Sequence, residues 1–395
     1  MKILLLTFYF KPDLCAGSFR MEAFVKSLQT KLTEDDQVDI VTTMPNRYST
    51  YKSACLKEEQ LSNNIFIKRV ELPAHKSGFL DQTVSFFIYF LSTLRWIWCR
   101  KYDYVFSTTS RLFTGFLGAL ISKFKNIPLY LDVRDIFTDT MDSLLPKHLS
   151  IICLPFFKTI EKFTMRQAVK INMVSEGFKE YLSKVAPKMN FSYYTNGIDD
   201  IFLETEFSNK LRQKEKKIII TYAGNIGQGQ RLDRIVPQMA ELLGNDYIIQ
   251  IIGDGGIRML LERELVNKNI KNVFIKTPVD RKKLIEIYNN SDWLFFHLDD
   301  CKAFEKVLPS KIFEYAATGK PVIAGVSGYA AGFMQNKVSG SIVFPPCDAE
   351  AFYEKFIKFD KYQYDRSEFI DMYKRKTIMD QMAIDVFRTG YDNAK

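Results

Sequence analysis

Residues 307–326 read VLPSKIFEYAATGKPVIAGV. The stretch predicts a loop, a short helix and then a buried strand, VIAGV. Pro309 and Ser310 are typical of the start of a helix, and Gly319 followed by Pro321 is typical of its end. An apolar strand that follows directly on a helix indicates an α/β protein with a parallel sheet.

The same stretch places polar groups at the start of the predicted helix. Backbone N–H groups there, together with the Ser310 hydroxyl and the Lys311 ammonium, suit a phosphate group. Glu314 follows Lys311 by about one helical turn, so its carboxylate can accept hydrogen bonds from sugar hydroxyls. Open α/β sheets bind nucleotides at the carboxyl ends of their strands. We therefore predict a nucleotide site that includes Ser310, Lys311 and Glu314.

The run SKIFEYAATGKPVIAG resembles the nucleotide-sugar site of retaining glycosyltransferases of family 4, which have two Rossmann-like domains in the GT-B fold. That family carries a Glu-x7-Glu motif whose second Glu contacts the donor ribose, and Glu314 matches it. Lys306 stands in the place of the first Glu, with Glu305 beside it. The loop AGNIGQGQ, residues 223–230, is similar to a branch of bacterial O-antigen transferases for N-acetyl-L-fucosamine.

Length, charge and cysteine usage limit the possible classes of protein. With 395 residues and 47% hydrophobic content, the chain is long enough for two or three domains. A net charge of +9 indicates an anionic partner, such as nucleic acid, acidic lipid or a phosphorylated substrate, or simply a basic solvated surface. The six cysteines lack metal-ligand spacing, which is typical of reduced thiols in a cytosolic protein. The N-terminal run MKILLLTFYF predicts a buried strand and not a signal peptide.

Apolar strands alternate with helical segments along the chain, which predicts parallel sheets covered by helices on both faces. The pattern occurs twice, on either side of a charged segment at residues 208–217. We expect an α/β protein with two Rossmann-like, doubly wound domains that face a central cleft, as in the GT-B fold. Residues 1–200 would form the acceptor-side domain and residues 215–375 the nucleotide-sugar-binding domain. Residues 376–395 would form a helix that packs back on the N-terminal domain.

A first candidate loop, KPDLCAGSFR at residues 11–20, follows the first strand. Gly17 permits close approach of a ligand to the backbone, and Ser18 can cap the next helix. A helix cap without any ligand is the alternative interpretation. The resemblance implies that Gly17, Ser18 and Arg20 face the donor diphosphate and the acceptor.

A second, glycine-rich loop, YAGNIGQGQRL, spans residues 222–232. Its backbone N–H groups can hold an anion, and Gly224 and Asn225 are predicted to bind substrate. In the resembled family this loop carries an Arg and, five residues later, a Lys that contact the diphosphate. Asn225 and Gln230 stand in those places. Arg231 is the candidate that replaces their charge.

Two further strand ends supply candidate residues. Asp132, Arg134 and Asp135 lie in LDVRDIFT, residues 131–138, where charges are costly unless they are paired or used. One interpretation is an Arg–Asp pair that braces the loop. In the other, Asp135 binds a sugar hydroxyl or helps to deprotonate the acceptor. The resemblance also implies that the nucleobase stacks at Pro278 and Val279.

The longest apolar stretch, VSFFIYFLSTLRWIWC at residues 84–99, is shorter than a membrane span and contains Arg95. Two interpretations remain open. The stretch can be a buried helix of the first domain. It can equally lie in a membrane interface, because Trp, Tyr and Phe beside Arg100 and Lys101 suit the headgroup boundary.

These features together predict a retaining glycosyltransferase that needs no metal or other cofactor. It would move a sugar, N-acetyl-L-fucosamine by the resemblance, from a UDP-sugar to a lipid-linked acceptor, undecaprenyl diphosphate, in O-antigen or other surface polysaccharide synthesis. The predicted catalytic residues are Asp135, Lys311 and Arg231, and no nucleic acid partner is expected. The protein would be peripheral on the cytoplasmic face of the inner membrane. A nucleotide-sugar epimerase of the same fold and a noncatalytic nucleotide-sugar-binding protein are the alternatives.

Overall fold

The computed structural model describes residues 1–46, 54–73, 79–144, 147–207, 217–359 and 364–393. The chain forms two compact units, one of Met1–Asn196 with Lys376–Lys395 and one of Gly197–Arg375. Of the charged segment at residues 208–217, only Lys217 lies within the described residues. Each unit is built on one mainly or wholly parallel sheet, so the predicted α/β class is confirmed.

The first unit contains an eight-stranded sheet in the order β3-β4-β2-β1-β5-β6-β7-β8. The strands are β1 (Lys2–Leu6), β2 (Gln37–Thr43), β3 (Glu58–Ser62), β4 (Ile65–Val70), β5 (Tyr104–Thr108), β6 (Leu129–Val133), β7 (Lys170–Met173) and β8 (Asn190–Tyr193). Its helices are α1 (Ala16–Gln29), α2 (Phe79–Ile97), α3 (Leu112–Lys125), α4 (Phe137–Leu144), α5 (Lys147–Gln167) and α6 (Lys179–Val185).

Strand order determines which helices share a face of this sheet. The connections β4–α2–β5, β5–α3–β6 and β6–α5–β7 all run in one direction across the sheet, whereas β1–α1–β2 runs in the other. Right-handed crossovers therefore place α2, α3 and α5 on one face and α1 on the opposite face. Ring contacts agree, since Phe113 of α3 lies 5.0 Å from Phe86 of α2 and 6.1 Å from Phe157 of α5. On the other face, Phe24 of α1 stacks on Phe106 of β5 at 4.7 Å.

The second unit contains a six-stranded parallel sheet in the order β11-β10-β9-β12-β13-β14. Its strands are β9 (Ile218–Asn225), β10 (Tyr247–Asp254), β11 (Val273–Lys276), β12 (Trp293–His297), β13 (Val322–Gly325) and β14 (Ser341–Phe344). Its helices are α7 (Asp200–Leu203), α8 (Leu232–Leu243), α9 (Arg258–Asn267), α10 (Arg281–Asn289), α11 (Lys311–Ala317), α12 (Gly328–Lys337), α13 (Ala349–Ile357) and α14 (Ser367–Met372).

Both faces of the second sheet are covered. Along β12, Trp293 and Phe295 belong to one hydrophobic cluster and Leu294 and Phe296 to another. Successive side chains of a strand point to opposite faces, so the whole run must be apolar when helices cover both sides. This is why DWLFFHL has no polar alternation.

The last helix, α15 (Arg375–Asn393), lies almost entirely within the first unit. Asp385 of this helix accepts hydrogen bonds from Tyr130 Oη at 3.0 Å and from Lys170 Nζ. Met382 is fully buried and its sulfur lies 3.2 Å from Arg20 Nη2. The chain thus returns to the first unit after it has completed the second sheet.

Sequence reasoning missed several elements. Strand β3 pairs antiparallel with β4, so the first sheet is not wholly parallel as expected. Helix α4 and helix α12 were also not predicted. Both are short helices between stronger signals, and α12 begins at Gly328 with φ 56°, a conformation that usually ends a helix. No helix in the described part of the chain is long and apolar enough to cross a membrane.

Candidate functional site

The second unit holds a partly buried charge pair at the start of α11. Lys311 Nζ donates to Glu314 Oε2 at 2.8 Å, and the Glu314 side chain is 5% exposed against 25% for Lys311. Ser310 is the N-cap, but its side chain does not cap the helix. The N–H groups of Ile312 and Phe313 donate to carbonyls of the preceding turn. A ligand at the first turn would therefore contact the Lys311 ammonium and the Glu314 carboxylate more than free backbone N–H groups.

The end of β9 lies against this pair. A Cβ added to Gly224 would lie 3.6 Å from Lys311 Cε and 3.2 Å from Tyr222 Oη. The Tyr222 hydroxyl donates to the Asn225 carbonyl at 2.6 Å, and Tyr315 Oη accepts from the Ala223 N–H at 3.1 Å. The structure thus brings Lys311 to the Gly224–Asn225 end of β9, although Lys311 follows Gly224 by 87 residues in the sequence. The two tyrosines were not predicted.

The glycine-rich loop after β9 is closed by its own side chains. Asn225 Nδ2 donates to Gln230 Oε1 at 2.9 Å, so the two residues in the places of the family's cations bind each other. Arg231 adopts φ 42°, which is uncommon for a residue other than glycine. Its guanidinium lies 3.5 Å from Asp233 Oδ2 and 4.0 Å from Asp299 Oδ1. Arg231 can therefore meet a diphosphate only by sharing its charge with these carboxylates.

His297, at the carboxyl end of β12, connects this loop to the one after β14. The Cys347 N–H donates to His297 Nε2 at 2.8 Å, and His297 Nδ1 lies 2.8 Å from the Gln230 carbonyl oxygen. Because a backbone N–H only donates, Nε2 is unprotonated and Nδ1 donates its proton to Gln230. Burial lowers the pKa of His297 to about 4. Cys347 itself has φ 60°. This link was missed, although a polar residue that ends a buried strand is a usable signal.

The remaining predicted residues of the second unit occupy two loops. Pro278 and Val279 follow β11, and Val279 packs partly against the core of the unit. Glu305 and Lys306 lie in a short 3₁₀ turn. A Cβ on Gly328 would lie 2.2 Å from the Glu305 carbonyl oxygen, so this turn packs closely on the start of α12. Nucleobase stacking at Pro278 and Val279 stays a prediction.

In the first unit, Arg20 and Asp132 form a fully buried ion pair. Arg20 Nε and Nη2 contact the two carboxylate oxygens at 3.1 and 3.0 Å, and both side chains are 0% exposed. Arg20 Nη1 also donates to the Thr195 carbonyl at 2.6 Å, and Asn172 Nδ2 donates to Asp132 Oδ1 at 2.7 Å. One interpretation of this strand end was a brace among Asp132, Arg134 and Asp135, but the guanidinium that pairs with Asp132 is that of Arg20. Its contact with a substrate stays a prediction.

Gly17 and Ser18 lie in the first turn of α1. The N-cap is Cys15, whose side chain does not cap, so the expectation that Ser18 caps this helix is wrong. Ser18 is instead a buried residue within the helix. A Cβ on Gly17 would lie 3.4 Å from Ser110 Oγ, so the loops that follow β1 and β5 are neighbours. The role of Gly17 and Ser18 in binding remains a prediction.

Asp135 follows β6 and is solvent-exposed. Thr140 Oγ1 donates to its Oδ1 at 3.4 Å. Desolvation by the surrounding protein raises the pKa of Asp135 to about 6, against the lowering effect of the Thr140 hydroxyl. Arg134, next to it, donates from Nη2 to Asn196 Oδ1 at 3.4 Å. A solvent-accessible carboxylate whose pKa is raised above its usual range is suited to accept a proton.

Within the described ranges, no group of three or more His, Cys, Asp or Glu residues is placed to hold a metal ion. The six cysteines are free thiols. The described site of the second unit therefore consists of a lysine, a carboxylate, an arginine and a glycine-rich loop.

Comparisons with solved structures identify the fold. Over the whole chain, the structure is similar to sucrose-phosphate synthase from Thermosynechococcus elongatus, with a TM-score of 0.75, 13% identity and 99% of each chain covered. It is also similar to HepE from Anabaena in complex with UDP, with a TM-score of 0.68 and 15% identity over 98% of this chain and 100% of that one. The fold is that of the two-domain GT-B proteins.

Sequence comparison adds a family match within the second unit. Residues 204–376 match the model of the family Glycosyl transferases group 1. A stretch of 123 residues is 28% identical to the putative colanic acid biosynthesis glycosyl transferase WcaI of Escherichia coli (strain K12). That match spans 31% of this chain and 30% of WcaI.

Proposed function

We propose that the protein is a retaining glycosyltransferase that transfers a hexosyl group from a UDP-sugar to an undecaprenyl-diphosphate-linked acceptor. The observation that carries the proposal is the partly buried Lys311–Glu314 pair beside Gly224, within the residues that match the family Glycosyl transferases group 1. The UDP complex of HepE supports a uridine donor, and the name of WcaI supports synthesis of a surface polysaccharide. The sugar we propose first is N-acetyl-L-fucosamine, in O-antigen synthesis.

Donor binding would use opposite charges within one helical turn. Glu314 would accept hydrogen bonds from the ribose hydroxyls, while Lys311, already 2.8 Å from that carboxylate, would reach the diphosphate. Gly224 leaves no side chain between Lys311 and the end of β9, so a phosphate can approach the backbone there. Pro278 and Val279 would contact the uracil.

The chemical step needs charge stabilisation more than a protein nucleophile. As the glycosidic bond breaks, negative charge grows on the leaving UDP, and a positioned ammonium stabilises it. Lys311 would do this directly. Arg231 would add to this stabilisation while it shares its charge with Asp233 and Asp299. We propose that these two cations replace a metal ion, and that the donor phosphate or Asp135 accepts the proton of the acceptor hydroxyl.

Contact with a membrane surface is part of the proposal, because the acceptor is a lipid. The inner side of α2 buries Ser85, Tyr89, Thr93 and Ile97, as the interpretation of a core helix requires. The outer side exposes Val84, Phe87, Leu91 and Trp98 by 52%, 58%, 49% and 78%, with exposed Arg95 among them. These positions follow helical spacing on one face. An apolar stripe of this kind is not stabilised by contact with water, whereas it is stabilised when it inserts into the headgroup region of a membrane.

A donor and acceptor panel tests the activity. UDP- and GDP-sugars would be incubated with polyprenyl-diphosphate-linked N-acetylglucosamine, with and without EDTA, and the products would be identified by mass spectrometry. We expect transfer from a UDP-N-acetylamino sugar that EDTA does not reduce, and an anomeric configuration in the product equal to that of the donor.

The same panel separates the alternatives. Interconversion of a free UDP-sugar without acceptor would indicate an epimerase. Binding of a donor without turnover on any acceptor would indicate a noncatalytic binding protein. Inversion at the anomeric carbon would contradict the retaining assignment, and loss of transfer in EDTA would contradict the role given to Lys311 and Arg231.

A variant of α2 tests the membrane contact. Trp96 is unsuitable for this test. Its ring stacks on that of Phe66 with centroids 6.1 Å apart, and Arg100 Cζ lies over it at 4.0 Å, so its removal would disturb the fold. The exposed positions are suitable, and Phe87→Ser with Leu91→Ser and Trp98→Ser should reduce flotation with anionic liposomes at low salt while the melting temperature is unchanged. A wild-type protein that fails to float would show that this part of the proposal is wrong.

A further inference from the structure

Helix α5 of the first unit has an unusual outer surface. In its first half, Ile151, Ile152 and Phe156 are exposed by 75%, 72% and 61%. In its second half the exposed positions become basic, at Lys158, Lys162 and Arg166. The three basic residues are four apart and so lie in one line along the helix. The helix therefore presents an apolar end followed by a cationic end on its solvent side.

This surface continues across the neighbouring helices. Helices α2, α3 and α5 lie on the same face of the first sheet, and aromatic side chains connect them beneath the surface, with Phe116 of α3 5.8 Å from Phe163 of α5. Near the end of α3, Phe124 is 81% exposed and stands between Lys123 and Lys125. The apolar and basic pattern of α5 is thus repeated on the adjacent helix. Isolated exposed apolar residues are normal, whereas the three on α5 lie within six residues of one helix.

The described exposed charges of α2, α3 and α5 have one sign, whereas the adjacent α4 carries the exposed carboxylate Asp142, which accepts from Ser150 Oγ at 2.7 Å. Among the residues whose side chains the structure describes on α2, α3 and α5, Glu161 is the only carboxylate, and it is 1% exposed. Glu161 is turned inward, where Thr138 Oγ1 donates to it at 2.8 Å and the Tyr181 hydroxyl also donates. Among the side chains that the structure describes on these three helices, the exposed ionisable groups are thus cationic or histidine. Such a surface is complementary to an anionic layer with an apolar interior.

We propose that α5 is a second membrane-contacting element, with Ile151, Ile152 and Phe156 inserted among acyl chains and Lys158, Lys162 and Arg166 on headgroup phosphates. The partner is an anionic phospholipid bilayer. The proposal rests on the proposed function for the presence of a membrane-bound acceptor, and on the surface of α5 for the contact itself. An amphipathic helix with aromatic or branched apolar residues and a basic face binds at the boundary between the lipid headgroups and the acyl chains.

Two variants test the contact in the full-length protein. In the first, Ile151→Ser, Ile152→Ser and Phe156→Ser remove the apolar end, and we expect partition onto phosphatidylethanolamine–phosphatidylglycerol vesicles to fall about 100-fold. In the second, Lys158→Gln and Lys162→Gln remove two charges, and binding to these vesicles should fall about fivefold for each. All five side chains are exposed, so unchanged melting temperatures are expected.

A matched control lies in the second unit, where Met259 and Val266 of α9 are each 78% exposed. Met259→Ser with Val266→Ser should leave vesicle binding at the wild-type level. Wild-type binding by both α5 variants would overturn the proposal. So would sedimentation data in which the triple serine variant changes from dimer to monomer while vesicle binding is retained, because the face would then join two copies of the chain.

Activity on a short-chain, water-soluble acceptor without vesicles separates this inference from the proposed function. The triple serine variant should transfer sugar to that acceptor at the wild-type rate while its vesicle binding is weakened about 100-fold. If the wild-type protein binds vesicles through α5 but transfers no sugar to any acceptor, the proposed function fails and the membrane contact stands. If the triple serine variant does not fold, the Lys158→Gln, Lys162→Gln variant provides the test. Vesicle binding at the wild-type level in that variant would contradict the headgroup contact.

Discussion

Glu314→Gln should weaken UDP binding while it leaves the fold nearly intact. Glutamine keeps an acceptor oxygen for Lys311 but loses the charge. Hydrogen bonds to charged groups contribute roughly 1.5–3 kcal/mol, about twice the neutral value. The loss is therefore about 1–1.5 kcal/mol for each ribose hydroxyl that Glu314 binds, or about 5- to 12-fold in Kd. Glu314→Ala should cost more, up to about 3 kcal/mol.

The stability of Glu314→Gln should change little. The side chain is buried, but its partner Lys311 is partly exposed and can still donate to the glutamine. We expect a loss below about 1 kcal/mol, which lowers the melting temperature by less than about 4 °C. Glu350→Gln is a matched control. Glu350, like Glu314, lies in the first turn of a helix, but unlike Glu314 it is exposed to solvent. It should change neither binding nor stability.

Titration calorimetry with UDP and with 2′,3′-dideoxy-UDP gives the decisive comparison. The wild-type protein should prefer UDP, and Glu314→Gln should lose most of that preference, because the ligand change and the side-chain change remove the same hydrogen bonds. A folded Glu314→Gln protein that still prefers UDP by the wild-type factor would refute the assignment of Glu314 to the ribose.

Three other substitutions test the remaining residues. Arg231→Gly keeps the left-handed backbone without strain and removes only the guanidinium, so turnover should fall about 10- to 100-fold with an unchanged melting temperature; full activity would assign the diphosphate to Asn225 and the backbone alone. Since the pKa of Asp135 is raised to about 6, wild-type kcat/KM should fall as pH drops below that value, and Asp135→Asn should lower the rate and remove this acidic limb; an identical pH profile in the variant would exclude Asp135 as the base. His297→Ala should raise KM for the donor more than it lowers kcat, because it frees the loop at Gln230, and His297→Asn should restore part of the loss; equal effects of the two variants would contradict a hydrogen-bonding role.

Local signals in the sequence were sufficient for the repeated α/β pattern and for the α11 region. Pro309, Gly319 and the apolar run after it act within one turn of the chain, so their effect can be read without knowledge of the fold. Alternation of apolar segments similarly predicted most strands and helices. Helix α12 escaped because it begins at a glycine in a left-handed conformation, which the neighbouring residues do not require.

The partners of the charged residues could not be predicted in the same way. The sequence did not predict that Asp132, 112 residues away, binds the guanidinium of Arg20. The hydrogen bond between His297 and Cys347, 50 residues apart, was likewise not predicted, nor was the position of Lys311 beside the Gly224 backbone. Residue type shows that a buried charge or imidazole needs a partner, because an unpaired one is costly. Which partner it finds depends on which strand ends become neighbours, and only the tertiary order of the strands decides that.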